Sequence, residues 1–247
     1  MITSIMQPYF FPSLLYFQMI HASDTFFLYD DVNYRRGWIN RNTMFFNDKI
    51  QYINVPLKKA SQNKKINEIE IDWYPKDPDI TWFSTFRNNI NTNFKSAPFY
   101  KEVDSLLLNI FYTLEPHHTT LHGFLQHVIR TICEVLNIKT EIHSTTLCYS
   151  HNQDLKGAYR LADICYAEGS RIYINTPGGK NLYKQSDFGL STDLYFISTD
   201  FPMSNQVSSS VTPSTLSQVS ILQMLLQYGF EGTEKYLDYY LLEKAHD

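Results

Sequence analysis

Ile2-Thr3-Ser4-Ile5-Met6, followed by Gln7-Pro8-Tyr9-Phe10-Phe11-Pro12, opens the chain and decides its fold. The apolar run predicts a buried strand, and residues 13–22 predict a helix that has Ser13 as its N-cap. Residues 25–29 form a second short apolar run, which predicts another strand. Because two strands joined through a helix run parallel, we predict a β-α-β unit whose strands end at the same edge of a sheet.

The rest of the chain predicts an α/β protein with a partly parallel sheet flanked by helices. Short apolar or alternating runs predict strands at 50–55, 66–71, 140–144, 171–174 and 194–197. Apolar spacings of three and four residues predict helices at 80–94, 100–114, 119–136, 157–168, 216–228 and 233–243. We expect a single α/β domain over residues 1–247, a helical subdomain inserted at 79–136, and a Ser/Thr-rich surface loop at 204–217.

Composition narrows the class of protein. A hydrophobic content of 43% and a charged content of 19% fit a folded protein, and a net charge of −4 argues against nucleic acid as a partner. No run approaches the length of a membrane span, and the first apolar run stops at Gln7, so we expect neither a membrane span nor a signal peptide. Three cysteines without metal-ligand spacing, Cys133, Cys148 and Cys165, favour a reducing, cytoplasmic setting. The sequence leaves the oligomeric state open.

The segment from Tyr29 to Asn42 is dense in functional groups. It carries two carboxylates, three guanidinia, three amides and three aromatic rings in 14 residues. A guanidinium group meets a phosphate or carboxylate with two parallel hydrogen bonds, so residues 35–42 are the best candidate for an anion site. Asp30 and Asp31 can orient these arginines or bind sugar hydroxyls. The alternative is a surface hairpin whose charges pair with one another.

A second candidate lies at Asn175-Thr176-Pro177-Gly178-Gly179, directly after a predicted strand. Glycine has no Cβ, so this turn lets the backbone approach a ligand closely. The spacing to Lys180 is not that of a P-loop, and a plain turn is the alternative. Because strand 171–174 belongs in the same parallel sheet, we expect Gly178 and Gly179 to converge with the residues after the first strand on one pocket.

The histidines and cysteines give weaker signals. His118 and His122 stand four apart on a predicted helix, which is a spacing that can bind zinc, but no glutamate lies between them as in a metalloprotease. We interpret them as a solvated helix start and predict no metal site. Cys148 lies near His143 and His151 without a group to orient them, so we predict no thiol nucleophile.

The opening unit resembles that of the nucleotidyltransferase and pantothenate-synthetase superfamily. In that superfamily the loop after the first strand carries paired histidines before the helix. Ser13 and Tyr16 occupy those places here, so the resemblance is one of architecture and not of catalytic residues.

Several blocks together resemble the WbqC-like protein family. They are Gln7 to Pro12 with Tyr16-Phe17-Gln18, Tyr29 to Val32 with Arg36 to Asn42, Arg160-Leu161, Tyr173 to Asn175, and Gly178 to Tyr183. The resemblance covers roughly residues 1–230, and it is loose over 216–229, where Gln218 and Gln223 fall near an expected aspartate. It implies a role in O-antigen or other surface-polysaccharide biosynthesis, in which an acyl or aminoacyl group is attached to an amino sugar.

These lines combine into a hypothesis: an acyltransferase or ligase that modifies a nucleotide-linked amino sugar. Asp30 or Asp31 would be the general base, Arg36 and Arg41 would hold phosphate, and aromatic rings would stack on the base or sugar. The residues predicted to bind substrate are Gln7, Tyr9, Phe10, Arg36, Trp38, Asn40, Arg41, Asn175, Gly178, Gly179 and Tyr183. If the acyl donor is a free amino acid, ATP is needed to activate it; otherwise no cofactor is indicated.

Two alternatives remain open at this point. The first is a nucleotidyltransferase or glycosyltransferase, although Asp30-Asp31 does not have the Asp-x-Asp spacing of many glycosyltransferase metal sites. The second is a protein that binds a sugar nucleotide without turning it over.

Overall fold

The computed structural model describes residues 1–46, 49–114, 120–200 and 218–247. Its largest sheet has six strands, and it confirms the predicted α/β class with a partly parallel sheet. In chain order these strands are β1 (Ile2–Met6), β2 (Thr25–Leu28), β7 (Glu141–Ser144), β8 (Ile172–Asn175), β9 (Asp193–Thr199) and β10 (Tyr240–Lys244). Across the sheet they run β10-β9-β8-β1-β2-β7, with only β10 antiparallel to its neighbour.

The opening β-α-β unit is present as predicted. Strand β1 pairs in parallel with β2, placing Ile5 opposite Phe27, and helix α1 (Leu14–His21) connects them. In β2 the side chains alternate between two buried clusters, since Phe26 and Leu28 belong to one and Phe27 to the other. Both faces of the sheet are therefore covered, as a parallel sheet requires.

The strand order reverses at β1. The chain adds β2 and then β7 on one side of β1, and later adds β8 and β9 on the other side. The chain runs from the carboxyl end of β1 toward β2, and from the carboxyl end of β8 toward β9. These two connections run in opposite directions and leave a crevice between β1 and β8. Open α/β sheets bind ligands in such a crevice.

Six further helices complete the described part of the chain. They are α2 (Trp82–Phe94), α3 (Tyr100–Tyr112), α4 (Leu121–Val135), α5 (Thr145–Cys148), α6 (Ala158–Ala167) and α7 (Ile221–Glu234). Apolar residues of α1, α2, α3, α4 and α7 share one buried cluster with one face of the sheet, and α6 covers the other face. A helical subdomain over 79–136 remains a prediction.

Two elements of secondary structure differ from those predicted from the sequence. The helix predicted at 233–243 is wrong beyond Glu234, because α7 ends there, residues 235–238 form a turn, and residues 240–244 form β10, where Tyr240 lies opposite Thr199. A pairing with a distant edge strand outweighs the local helical spacing there. The strand predicted at 66–71 is a 3-10 turn, Ile66–Glu68, followed by the two-residue strand β6 (Glu70–Ile71), which pairs with β5 (Leu57–Lys58). The loop predicted at 204–217 lies outside the described residues.

The predicted strand at 50–55 is present, but outside the main sheet. It is β4 (Lys49–Asn54), which pairs antiparallel with β3 (Arg41–Phe46) as a separate two-stranded sheet. This hairpin follows directly from the polar segment 29–42 and carries Arg41 at its first position. The hairpin therefore positions one of the predicted anion-binding side chains.

Candidate functional site

A cavity of about 370 Å³ lies at the carboxyl ends of β1 and β8, and we call it the switch cavity. A second one, of about 450 Å³, lies between the start of α1 and the β3–β4 hairpin, and we call it the hairpin cavity. Four residues line both of them: Met6, Tyr9, Trp38 and Thr176. The two cavities therefore adjoin, and together they form what we call the groove.

The loop after β1 is fastened to the polar segment. The backbone N–H of Phe10 donates to the Ile39 carbonyl at 2.9 Å, and Nδ2 of Asn42 donates to the Phe11 carbonyl at 2.7 Å. Phe11 adopts a φ of 41°, in a region that non-glycine residues rarely occupy. These contacts hold Tyr9 between the two cavities.

Phe10 requires a correction. It was predicted to stack on a ligand, but its ring is completely buried and lies beside the rings of Phe11, Trp82, Phe86 and Phe124. A side chain with no accessible surface cannot contact a ligand. Phe10 instead anchors the loop in the core, whereas Trp38, 66% exposed, lines both cavities.

The three arginines of the polar segment take different places. Arg35 lines the switch cavity and Arg41 lines the hairpin cavity, whereas Arg36 is exposed and lines neither. The guanidinium carbon of Arg41 lies 4.3 Å from the centre of the Tyr52 ring, a cation–π contact. Gly37, at φ 81°, permits this position, since a Cβ there would come within 3.0 Å of the Arg41 guanidinium carbon. The anion-binding function predicted for Arg36 therefore fits Arg35 better.

Tyrosine hydroxyls contribute to the switch cavity. Burial raises the pKa of Tyr9 to about 12, with Arg35 acting in the opposite direction. Burial also raises the pKa of Tyr29 and of Tyr183. All three hydroxyls stay protonated near neutral pH, and that of Tyr9 donates its proton to Oε1 of Gln7.

The turn after β8 forms the opposite wall of the switch cavity, to which Asn175, Gly178, Gly179 and Tyr183 contribute. Asn175 Oδ1 accepts from the Thr176 backbone N–H at 2.7 Å, and its Nδ2 donates to the Tyr173 hydroxyl at 3.1 Å. A Cβ on Gly179 would lie 3.1 Å from Cγ of Asn175, so only glycine leaves this amide undisturbed. Gln7 lines the same cavity and accepts from the Tyr9 hydroxyl at 3.0 Å.

Asp30 and Asp31, predicted as general bases, are buried and do not line the groove. Both oxygens of Asp31 accept from Arg160, at 2.9 and 2.6 Å. The Arg160 guanidinium carbon lies 5.0 Å from the centre of the Tyr29 ring, so this ion pair supports a wall of the switch cavity. With Arg160 bound to both of its oxygens and no accessible side-chain surface, Asp31 does not fit the predicted role of general base.

Asp30 accepts several hydrogen bonds of its own. The hydroxyls of Ser144 and Thr146 donate to it at 2.5 and 2.8 Å, and Nδ1 of His122 lies 3.1 Å from its Oδ2. Asn40, which is predicted to bind substrate, also requires a correction, since it lines neither cavity. Its amide accepts from the Tyr34 hydroxyl and donates to the Val55 carbonyl, so it fixes the local fold.

Sequence reasoning missed Arg35, Tyr29 and His122. Arg35 and Tyr29 stand inside the quoted polar segment, and only the folded chain distinguishes Arg35 from its neighbour Arg36. His122 was interpreted as part of a solvated helix start. Its contact with Asp30 spans 92 residues and leaves no mark in the local sequence. His117 and His118 lie outside the described residues.

Within the described ranges, no group of three or more His, Cys, Asp or Glu side chains is arranged to hold a metal ion. None of the helices there is both long and apolar enough to cross a membrane.

Comparisons with known proteins give one family and one relative. The sequence model of the WbqC-like protein family matches residues 7–235. The uncharacterised protein Rv1507c of Mycobacterium tuberculosis is 28% identical over 242 residues, which cover 96% of this chain and 97% of that protein. No solved structure matches the chain.

Proposed function

Because this chain belongs to the WbqC-like protein family, we propose that it is an enzyme of polysaccharide-related biosynthesis. The specific reaction that we propose is acylation of the amino group of a nucleotide-linked amino sugar. The amine attacks the carbonyl carbon of an activated acyl group, the new C–N bond forms, and the bond to the leaving oxygen or sulfur breaks. The surplus proton of the amine leaves to a base.

The position and chemistry of the groove carry this proposal. It lies at the reversal of strand order, where α/β sheets bind nucleotides, and its two cavities are large enough together for a nucleotide sugar. Its lining includes two guanidinium groups, those of Arg35 and Arg41. Such donors suit the oxygens of a diphosphate.

The lining of the groove favours one orientation of a bound nucleotide sugar. Its diphosphate would lie between Arg35 and Arg41, near Tyr9, where the two cavities meet. The exposed ring of Trp38 would stack on the base. The sugar would then face Asn175 and Tyr183, whose amide and hydroxyl groups match sugar hydroxyls.

The chemical nature of the acyl donor determines whether the reaction needs ATP. A free amino acid, such as glycine, would have to be activated by ATP, whereas a thioester or acyl phosphate would not. The absence of AMP and pyrophosphate from every reaction of an amino acid, ATP and an amino-sugar nucleotide would exclude the ATP version. The proposal also places the reaction in the cytoplasm, which suits three cysteines that are all free thiols.

The first experiment is a thermal-shift screen with UDP-glucosamine and dTDP-4-amino-4,6-dideoxyglucose, followed by assays with acetyl-CoA and with glycine plus ATP. A ligand at 100 times its Kd should stabilise the fold by about 2.7 kcal/mol. We expect a shift with at least one probe and a product whose mass increases by the acyl group. No shift with either probe would contradict the proposal.

A second candidate is binding of the sugar nucleotide without turnover. The lining of the two cavities favours it, since none of the described residues there is a carboxylate, a histidine or a cysteine that could accept the proton of the amine. A binding protein would give the thermal shift but no acylated product with either donor.

A further inference from the structure

The switch cavity lies on the face of the sheet that α6 covers. In β1, β2 and β8, the side chains of Ile5, Phe27 and Tyr173 belong to the buried cluster on that face. Side chains alternate along a strand, so residues two positions further on point to the same face. Each strand has a polar residue there that lines the switch cavity, namely Gln7, Tyr29 and Asn175. The sheet therefore directs these polar groups into one space.

The amide of Asn175 is fixed in one orientation. A backbone N–H only donates, so the atom that lies 2.7 Å from the Thr176 nitrogen is the oxygen Oδ1. Nδ2 therefore faces the Tyr173 hydroxyl, to which it donates at 3.1 Å. Asn175 is 4% exposed, and its second N–H has no hydrogen-bond partner among the described residues. This buried amide thus keeps one donor for a group bound in the cavity.

The hydroxyl of Tyr183 is a second donor in the switch cavity. Burial raises the pKa of Tyr183, Tyr29 raises it further, and Arg35 lowers it. Such electrostatic effects weaken with distance, so the hydroxyl lies near Tyr29 and Arg35, which line the same cavity. It also raises the pKa of Tyr173, whose hydroxyl accepts from Asn175. None of the described residues forms a hydrogen bond with the Tyr183 hydroxyl, so it is free to donate.

The lining of the switch cavity suits the stabilisation of a negatively charged oxygen. Besides these two donors it includes the guanidinium of Arg35, and none of its described residues is a carboxylate, a histidine or a cysteine. Acyl transfer to an amine passes through a tetrahedral intermediate in which the carbonyl oxygen becomes an oxyanion. Fixed N–H and O–H donors stabilise such an oxyanion, and they need not accept a proton to do so.

We propose that the amide of Asn175 and the hydroxyl of Tyr183 form an oxyanion hole for the carbonyl oxygen of the acyl group. The neutral sugar amine attacks the carbonyl carbon, the C=O electron pair moves onto the oxygen, and both donors hydrogen-bond to it. When this pair returns, the C–N bond remains and the bond to the leaving sulfur or oxygen breaks. The surplus proton of the amine passes to the leaving group.

This inference rests on the proposed function, which sets the sugar against these two residues. The amine is a substituent of that sugar, so the acyl group that it attacks lies in the same cavity. Asn175 and Tyr183 are then catalytic residues that contact the reacting oxygen.

The test compares two ligands that differ at the acyl group. One is UDP-glucosamine whose amine carries a methylphosphonyl group, an anionic tetrahedral mimic of the intermediate. The other is UDP-N-acetylglucosamine, in which the acyl carbon is planar. For the wild type, we expect the calorimetric Kd to be about 100-fold lower, or more, for the phosphonyl compound.

Tyr183→Phe and Asn175→Ala should each reduce this preference by about tenfold or more, because each loses one hydrogen bond to a charged group. The preference is a ratio of two Kd values of one protein, so a general loss of affinity or stability cancels. Tyr166→Phe is the matched control, since it removes a hydroxyl from an exposed ring of α6 that lines neither cavity. This control should keep the wild-type preference.

The outcomes separate the oxyanion hole from the proposed function. Equal affinity of the wild type for the two ligands, or a preference that survives in both Tyr183→Phe and Asn175→Ala, would overturn the oxyanion hole alone. A wild-type protein that binds neither ligand would overturn the proposed function, and the oxyanion hole with it.

Discussion

Arg160 and Asp31 form a bidentate ion pair with almost no accessible surface, in which Nη1 lies 2.9 Å from Oδ1 and Nη2 lies 2.6 Å from Oδ2. The two residues are 129 positions apart in the chain. The pair joins the segment after β2 to α6, and it holds the guanidinium against the ring of Tyr29. It therefore links the stability of the fold to the wall of the switch cavity.

Asp31→Asn should destabilise the protein strongly. The substitution leaves the buried guanidinium of Arg160 without a counter-charge, which typically costs about 3 to 5 kcal/mol. The measurement is the free energy of unfolding from urea denaturation. Asp104→Asn is the matched control, because Asp104 also binds Arg87 bidentately, at 2.7 Å for both bonds, but the pair is partly exposed.

The control should lose no more than about 1 kcal/mol, as exposed ion pairs do. Equal losses in Asp31→Asn and Asp104→Asn would show that burial of the Arg160 pair contributes nothing.

Arg41→Ala should weaken nucleotide-sugar binding by about tenfold or more. A hydrogen bond to a charged group contributes about 1.5 to 3 kcal/mol, and Arg41 lines the hairpin cavity. Arg36→Ala is the control, since this exposed side chain lines neither cavity. Calorimetric Kd values for the wild type and both variants give the answer. A larger loss in Arg36→Ala than in Arg41→Ala would mean that the anion site lies outside the groove.

Gly179→Ala should reduce binding while the fold survives. The new methyl group would lie 3.1 Å from the Asn175 amide and would push that side chain out of its position in the switch cavity. Gly178→Ala is a neighbouring control whose methyl group would meet only Thr176 Oγ1, at 3.9 Å. Binding assays and melting curves of the two variants separate the effects. Unchanged affinity in Gly179→Ala would remove the turn after β8 from the site.

Truncation of Phe10 should mainly lower the stability of the protein, whereas truncation of Trp38 should mainly weaken ligand binding. Phe10→Ala removes a fully buried ring and should cost about 3 to 5 kcal/mol of folding free energy. Trp38→Ala removes a ring that is 66% exposed, so it should change stability little and weaken ligand binding. Denaturation of each variant gives its free energy of unfolding, and titration with the nucleotide sugar gives its Kd. A stable Phe10→Ala protein that no longer binds ligand would restore Phe10 as a contact residue.

Stability should fall in acid partly through His122. Its pKa is lower in the folded protein than the 6.5 of an unperturbed histidine, so the unfolded chain binds more protons between these two values. The contribution of the neutral imidazole is complete above pH 6.5 and is lost as the pH falls through the folded pKa. The difference in unfolding free energy between the wild type and His122→Gln, measured from pH 5 to 8, should therefore shrink in acid. A difference that grows in acid would mean that the folded protein favours the imidazolium.

Local patterns predicted the elements that depend on near neighbours. The β1-α1-β2 unit follows from apolar spacing within 30 residues, whereas only some residues of the polar segment 29–42, such as Tyr29, Arg35 and Trp38, line the switch cavity. The sequence could not show which of Tyr9, Phe10 and Phe11 faces the core, because that depends on the unusual φ of Phe11.

Distant contacts account for the remaining differences. Asp31 resembles a free carboxylate until its partner Arg160 is known, and residues 240–244 resemble a helix until β9 is beside them. The 3.1 Å contact of His122 with Asp30 is of the same kind. Such pairings are set by the topology of the sheet, and a single sequence carries no local signal for them.

A crystal structure of the complex with UDP-glucosamine or dTDP-4-amino-4,6-dideoxyglucose would show whether the groove is the binding site of a nucleotide sugar. We expect the diphosphate within hydrogen-bond distance, about 3 Å, of Arg35 and Arg41, and the base against Trp38. Ligand density in the separate cavity beside α2, lined by Ile53, Ile80 and Trp82 among others, with an empty groove would contradict it.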